Sequence, residues 1–288
     1  MTRTRFAGAA AMLVLAVGLA GCSDSGGDGG DEGRSDGGQG ASGSQAVRAA
    51  YRKTAAADTA KAAVVTKATA DGKTVAVRGS GVMNLAKGDS RMTLTSQGQE
   101  MEQRVHDGVV FQKPPAEQRA GLPTGKTWMS VDLAKLNRSG SGGGGQVSDP
   151  AESFAYTKAV RDGEVTKKGT DTVDGVRTTH YRVEVDVRTL AGGDESEADR
   201  LREQLGTSSL PLDLWLDDEG RLRQETVRLT VRQAGSGQQK TQQVTTATTL
   251  RFSDFGTEAD VEAPPAENTV DVTDKLARSA GGDQGAAS

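Results

Sequence analysis

One thiol stands in the whole chain, Cys22, directly after Leu19, Ala20 and Gly21. Small side chains before a lone cysteine leave room for a peptidase, and a thiol is the side chain here nucleophilic enough to be alkylated. Arg3 and Arg5 precede an apolar run from Phe6 to Ala20, which is the basic-then-greasy order of an export leader. That run falls short of the roughly 20 apolar residues a membrane-spanning helix needs. Cleavage before Cys22 is the expectation, and with a single cysteine no intramolecular disulfide can form.

Leu-Ala-Gly-Cys resembles the lipobox of bacterial lipoproteins. The resemblance implies that Cys22 carries a diacylglyceryl group, becomes the mature N-terminus and anchors the protein at the outer face of the cytoplasmic membrane.

Other reactive patterns are weaker. Ala120 to Thr127 satisfies A-x-x-x-x-G-K-T, but a phosphate-binding loop needs a buried strand before it and a helix after it. Here Lys113, Pro114, Pro115, Glu117 and Arg119 precede it and a Trp-bearing strand follows, so it reads as a turn. His106 and His180 lie on the polar parity of their strands beside Arg104 and Arg182. Neither has a His or Cys neighbour at ligand spacing, so both read as surface histidines and no metal is expected. No Gly-x-Ser-x-Gly elbow occurs. The chain is therefore expected to have no catalytic residues and no cofactor, and not to be an enzyme.

Apolar residues make up 34% and aromatics 3% of the 288 residues, so core material is thin for this length. Acidic residues number 39 against 35 basic ones, and this balance repels nucleic acid phosphates. Nucleic acid is excluded as an expected partner.

The elements that must position any site divide the chain into four parts. Residues 1–21 read as leader. Residues 22–44 are Cys22 and a Gly/Ser/Asp stretch with no large apolar side chain, expected to be a disordered tether. Residues 45–272 read as the folded body, and residues 273–288 as a disordered tail. In the body, Val47, Ala50, Tyr51 and Thr54 predict a helix from Gln45 to Ala57. Alternation then predicts about eleven strands: 61–70, 73–86, 90–97, 100–106, 109–113, 127–133, 164–173, 177–188, 211–217, 221–233 and 239–253. Asp71-Gly72, Gln97-Gly98, Asp107-Gly108 and Asp174-Gly175 mark hairpin turns. Gly79 and Gly81, in mid-strand, predict a bulge or a sharp coil. Asp149, Pro150 and Glu152 cap a second helix, and Asp194 starts a third over 195–205 that Gly206 stops. The Gly/Ser stretch 139–145 either divides two halves or is a loop.

Hairpin order makes the sheet antiparallel, and the fold class mainly antiparallel β with a few helices (α+β). Three short helices cannot cover the apolar face of so long a sheet. Either the sheet curls on itself or it encloses a cavity for an apolar guest.

Four segments then resemble the LppX/LprG-type envelope lipoproteins and, more distantly, the LolA/LolB carriers and the RseB sensor domain. They are Gly125-Lys126-Thr127-Trp128; Val173-Asp174-Gly175-Val176 with His180-Tyr181; Leu210 to Asp217; and Phe252-Ser253-Asp254-Phe255-Gly256. The resemblance implies a strongly curved half-barrel with helices at its open side, and a hydrophobic pocket for acyl chains. By strand parity the candidate cavity residues are Val77, Met83, Leu85, Leu94, Phe111, Val183, Val185, Leu214, Leu229 and Phe252. The expected function is a lipid-anchored extracytoplasmic protein that binds or carries a lipid or other hydrophobic ligand. The alternative is a tethered envelope sensor or scaffold that works through a protein partner. Trp128 and Trp215 are candidates for a ligand rim or for packing. Arg221, Arg223, Arg228 and Arg232 read as a solvated strand face that a headgroup could touch.

Overall fold

A computed structural model describes residues 38–138, 160–191, 193–233 and 242–281. In chain order the elements are α1 (Gly38–Ala55), β1 (Thr59–Ala70), β2 (Lys73–Asn84), β3 (Ser90–Ser96), β4 (Gln99–His106), β5 (Val109–Lys113), α2 (Ala116–Arg119), β6 (Trp128–Asp132) and α3 (Leu133–Arg138). They continue with β7 (Val165–Val173), β8 (Val176–Asp186), α4 (Val187–Leu190), α5 (Glu195–Leu205), β9 (Ser209–Asp217), β10 (Leu222–Gln233), β11 (Gln242–Ser253), β12 (Thr269–Asp271) and α6 (Thr273–Gly281).

The strands form one twelve-stranded sheet in the order β12-β6-β5-β4-β3-β2-β1-β11-β10-β9-β8-β7. It is an open, curved, mainly antiparallel sheet with helices, the α+β class the alternation predicts. Each expected hairpin closes through a residue pair with positive φ, as at Asp107 (49°) and Gly108 (72°), which is the turn that matches strand twist. The first run of hairpins joins the second through β1 and β11, paired antiparallel from Lys61 opposite Ser253 to Ala70 opposite Val244. Both halves of the chain therefore share one sheet. β12 was not anticipated: it is three residues long and lies parallel to β6, with no alternation to betray it.

Directly paired residues share a face, so the register defines two. One, here the inner face, carries Ala62, Gly81, Met92 and Phe252; the other carries Lys61, Arg91 and Arg251. The glycines in β2 mark a coil and not a bulge, because β2 pairs with β1 and β3 without a register shift. A Cβ on Gly81 would fall 1.9 Å from the Arg91 carbonyl oxygen. β3 thus rolls over the inner face at this point, and only glycine permits the approach.

The core lies against the inner face. Val47 and Ala50 of α1 join Val165, Tyr181, Val183, Leu212, Leu214 and Phe252 in one cluster. Thr54, 1% exposed, ends the α1 stripe, and its hydroxyl accepts the buried Leu222 N–H at 2.9 Å. We expect Thr54→Val, which keeps the shape and removes the acceptor, to lose about 1 to 3 kcal/mol in urea denaturation, with Thr54→Ser losing less.

Several boundaries differ from the sequence reading. α1 begins at Gly38 and not Gln45, so the last seven residues of the expected tether are helical. Ser44 is fully buried and its hydroxyl donates to Asp162, a partner 118 positions away that no local pattern reveals. Likewise the expected tail begins as α6. The Asp271 carboxylate accepts the Thr273 N–H at 2.8 Å, and Thr273 Oγ1 accepts the Asp132 N–H at 2.9 Å, tying the helix start to the end of β6. The apolar end of the eighth predicted strand turns into α4, whose cap is Asp186 accepting the Arg188 N–H at 2.7 Å. The leader, Cys22, the stretch 139–145 and the helix expected after Asp149 lie outside the described residues.

Candidate functional site

Nine of the ten candidate cavity residues share the inner-face side of the sheet, and they divide by burial. Met83, Leu85, Val183, Val185, Leu214 and Phe252 are buried in the core cluster; Leu94 and Leu229 are partly buried against it, and Val77 is half-buried. Phe111 does not belong with them. It pairs with Arg104 and Ser130 on the outer face, while Val110 pairs with Val105 and Val131 on the inner one. β5 begins Val109-Val110-Phe111, apolar at both parities, so alternation there cannot say which side faces in. Val105, Val110 and Leu133 form a second small cluster.

The helices cover this face unevenly. α1 packs on β7 and β10, α5 on β10, and α3 and α6 sit against β6. Along β1, β2, β3, β10 and β11 lie Val64, Val77, Leu94, Leu229 and Leu250, none fully buried, and all but Val77 pack partly against the core cluster. Val75, next along β2, is 43% exposed. Val64 and Leu250 are not among the candidate cavity residues, because β1 carries Ala and Val at both parities and β11 carries threonine at both, as at Thr245, Thr246, Thr248 and Thr249. Gly79 completes the strip: a Cβ there would lie 2.5 Å from Leu94 Cδ2 and 2.7 Å from Val64 Cγ1. What results is a strip of partly buried apolar side chains on the inner face, interrupted by Thr66, Thr248 and Glu225, which the register places on the same face.

The outer face is polar and internally paired. The Asp213 carboxylate, 11% exposed, meets His180 Nε2 at 3.0 Å, Arg182 at 2.9 Å and Arg228 at 3.1 Å. The Asp217 carboxylate accepts Arg221 Nε and Arg223 Nε, each at 3.0 Å. The basic stripe is therefore engaged with carboxylates at Arg221, Arg223 and Arg228, and the Arg232 side chain lies outside the description. Burial pushes the Asp217 carboxyl up, but hydrogen bonds from the Arg221 backbone, Arg221 and Arg223 outweigh it and hold the group below its ordinary value.

Both tryptophans sit on this outer side, away from the strip. Trp128 is buried, with the Arg104 guanidinium 4.9 Å from its ring centroid. Trp215 stacks on His180 at 4.4 Å and donates Nε1–H to Asp171 at 3.2 Å. Neither histidine is simply a surface residue: His180 is held as above, and His106 lies 3.4 Å from the Asp89 carboxylate. Lys126 of the A-x-x-x-x-G-K-T stretch donates to the carbonyls of Ala266 and Glu267 at 3.3 and 2.9 Å, and a strand follows it, as a turn requires. A polar cavity of about 240 Å³, lined by Arg91, Arg104, Glu258, Asp260 and Glu262, lies where the segment after β11 crosses the outer face.

No protein-family model matches the chain. In sequence it is similar to an uncharacterized 31.2 kDa protein of Streptomyces griseus from the rplA-rplJ intergenic region. The two are 29% identical over 255 residues, which is 80% of this chain and 79% of that protein. Among solved structures it is similar to the lipoprotein LppX of Mycobacterium tuberculosis, with 15% identity, TM-score 0.43, and 76% of this chain and 99% of that one covered. It is similar to LprF of Mycobacterium bovis, with 13% identity, TM-score 0.42, and coverage of 78% and 98%. A LolA superfamily protein of Nitrosomonas europaea aligns at 10% identity and TM-score 0.28, covering 77% of this chain and 94% of that one.

Proposed function

We propose that the protein is a lipid-anchored extracytoplasmic binding protein that holds an acyl chain against the inner face of its curled sheet. The observation that carries this reading is the apolar strip of Val64, Val77, Leu94, Leu229 and Leu250, left between helices that pack at the two ends of the sheet. Each methylene contributes about 0.8 kcal/mol when fully buried, so the apolar side chains of the strip suit a fatty chain in chemistry. Selection among chains would be loose, because an apolar site distinguishes one methylene by only about 1 to 3 kcal/mol.

The anchor belongs to the same reading. Residues 1–21 are the leader, Cys22 takes the diacylglyceryl group, and the following stretch links the membrane to α1. No helix among the described residues is long and apolar enough to cross a membrane.

Lipid extraction of the purified full chain, followed by mass spectrometry, tests the binding reading: acyl lipid is expected in the extract. Leu94 and Thr95 are adjacent but lie on opposite faces. Leu94→Lys is expected to weaken binding of an environment-sensitive apolar dye by about tenfold or more, as burying one unpaired charge demands, while Thr95→Lys leaves it unchanged. Protein that repeatedly comes out lipid-free and takes up no dye would overturn the reading in favour of the sensor or scaffold role. Separately, a radiolabelled fatty acid is expected to tag the wild type and not Cys22→Ser, and equal labelling of the two would rule out the anchor.

A further inference from the structure

We infer that Asp89, His106 and Asp107 form a binding site for a divalent cation of the zinc class. Asp89 closes the turn before β3, and His106 and Asp107 stand at the turn from β4 to β5. Pairing of β3 with β4 brings the two turns together. One ligand atom from each of the three residues lies within 4.8 Å of the other two.

Three features favour an ion over a simple charge pair. First, His106 Nδ1 is buried and makes no hydrogen bond, although Asp89 Oδ2 lies only 3.4 Å away. Buried polar atoms without a partner are rare in folded proteins, and each calls for a ligand or a reason. Second, that separation fits coordination. Zinc bonds of about 2.0 to 2.1 Å place two ligands of a tetrahedral ion roughly 3.3 Å apart. Third, the acceptor is held in place: Asp89 is buried, and its other oxygen, Oδ1, accepts the Asp107 N–H at 3.1 Å. Asp107 Oδ2 lies 3.5 Å from the other ring nitrogen, His106 Nε2, and its carboxylate, 87% exposed, must turn toward Nδ1 to complete the shell. Two carboxylates and one imidazole suit zinc and its neighbours better than the all-oxygen shells of calcium or magnesium.

The sequence could not show this group, because Asp89 lies 18 positions before Asp107 and Asp-Gly reads first as a turn. His106 stands on the outer face, away from the acyl strip, and the site does not depend on that strip.

The test is competition between the full chain in detergent and a chromophoric zinc chelator. Saturable binding at micromolar zinc is expected in the wild type. His106→Gln is expected to weaken it by about 100-fold, since even outer-shell changes cost 10- to 100-fold. His180→Gln serves as the control and is expected to leave it unchanged. Asp107→Asn, at an exposed position, is the second variant should His106→Gln fail to fold, and it too is expected to bind zinc more weakly. Equal affinity in the wild type and in whichever of these two variants folds, or no saturable binding in the wild type, overturns the proposal.

Discussion

Gly81→Ala is expected to destabilise the protein by about 3 kcal/mol, the upper end of what overpacking a core costs. The new methyl would meet the Arg91 carbonyl oxygen at 1.9 Å, the Arg91 carbonyl carbon at 2.8 Å and Met92 Cα at 2.8 Å. All three are backbone atoms and cannot rotate away, so the corner between β2 and β3 must open. In an ordinary strand the same substitution would gain about 0.5 to 1 kcal/mol, because glycine loses the most freedom on folding. The sign of the change is thus diagnostic. Gly79→Ala meets side-chain atoms alone, of Leu94, Val64 and Met92, and is expected to cost less, while raising the floor of the apolar strip. Gly163→Ala, with nothing within 4 Å, serves as the neutral control. Urea denaturation of the three variants checks the order. A Gly81→Ala protein as stable as the wild type would show that the sheet does not curl there.

Asp217→Ala is expected to cost about 3 kcal/mol or more, the range for breaking a buried ion pair by removing one partner. The carboxylate, with its side chain 3% exposed, accepts the backbone N–H groups of Glu219 (3.1 Å) and Arg221 (2.8 Å) as well as both guanidinium groups. Arg221 and Arg223 also lie over Phe255, at 4.6 and 4.7 Å from its centroid, so removing the acid leaves two packed cations without their shared partner. The pH dependence follows from the direction of the shift. The folded-state pKa of Asp217 lies below its unfolded value of about 3.9, so the contribution is complete above that pH. It is lost as the pH falls through the lower, folded-state value. Denaturation midpoints measured from neutral pH to well below the unfolded value are expected to fall steeply at the acid end in the wild type. Asp217→Asn is expected to be less stable at neutral pH and to show a flatter acid limb.

Much of the scaffold was legible in advance, for reasons that differ by element. β8 declared itself because Tyr181, Val183 and Val185 alternate with Arg182, Glu184 and Asp186, and a strand with one wet face must alternate. α5 matched its expected span of 195–205, since a capping acid before it and Gly206 after it are local signals. Phe111 went to the wrong face because β5 is apolar at both parities. The start of α1 and the whole of α6 were missed because both are polar segments stabilised by distant partners, Asp162 for one and Asp132 for the other.

The candidate site divides along the same line. The expectation of an apolar sheet face with too few helices to cover it came from composition and helix length. Which residues would be fully buried was not legible, and six of the ten proposed cavity residues are packed core. Turns, caps and alternation depend on a few neighbouring dihedral angles and on side-chain period, so the amino-acid order alone determined the hairpins, the approximate places of eleven strands and the α+β class. The joint between β1 and β11 and the pairing of Arg221, Arg223 and Arg228 with acids were decided only in three dimensions. So were the choice of inner face at β5 and the meeting of Asp89 with His106. Each of these depends on chain segments that come together after long loops close, and on packing that no local period encodes.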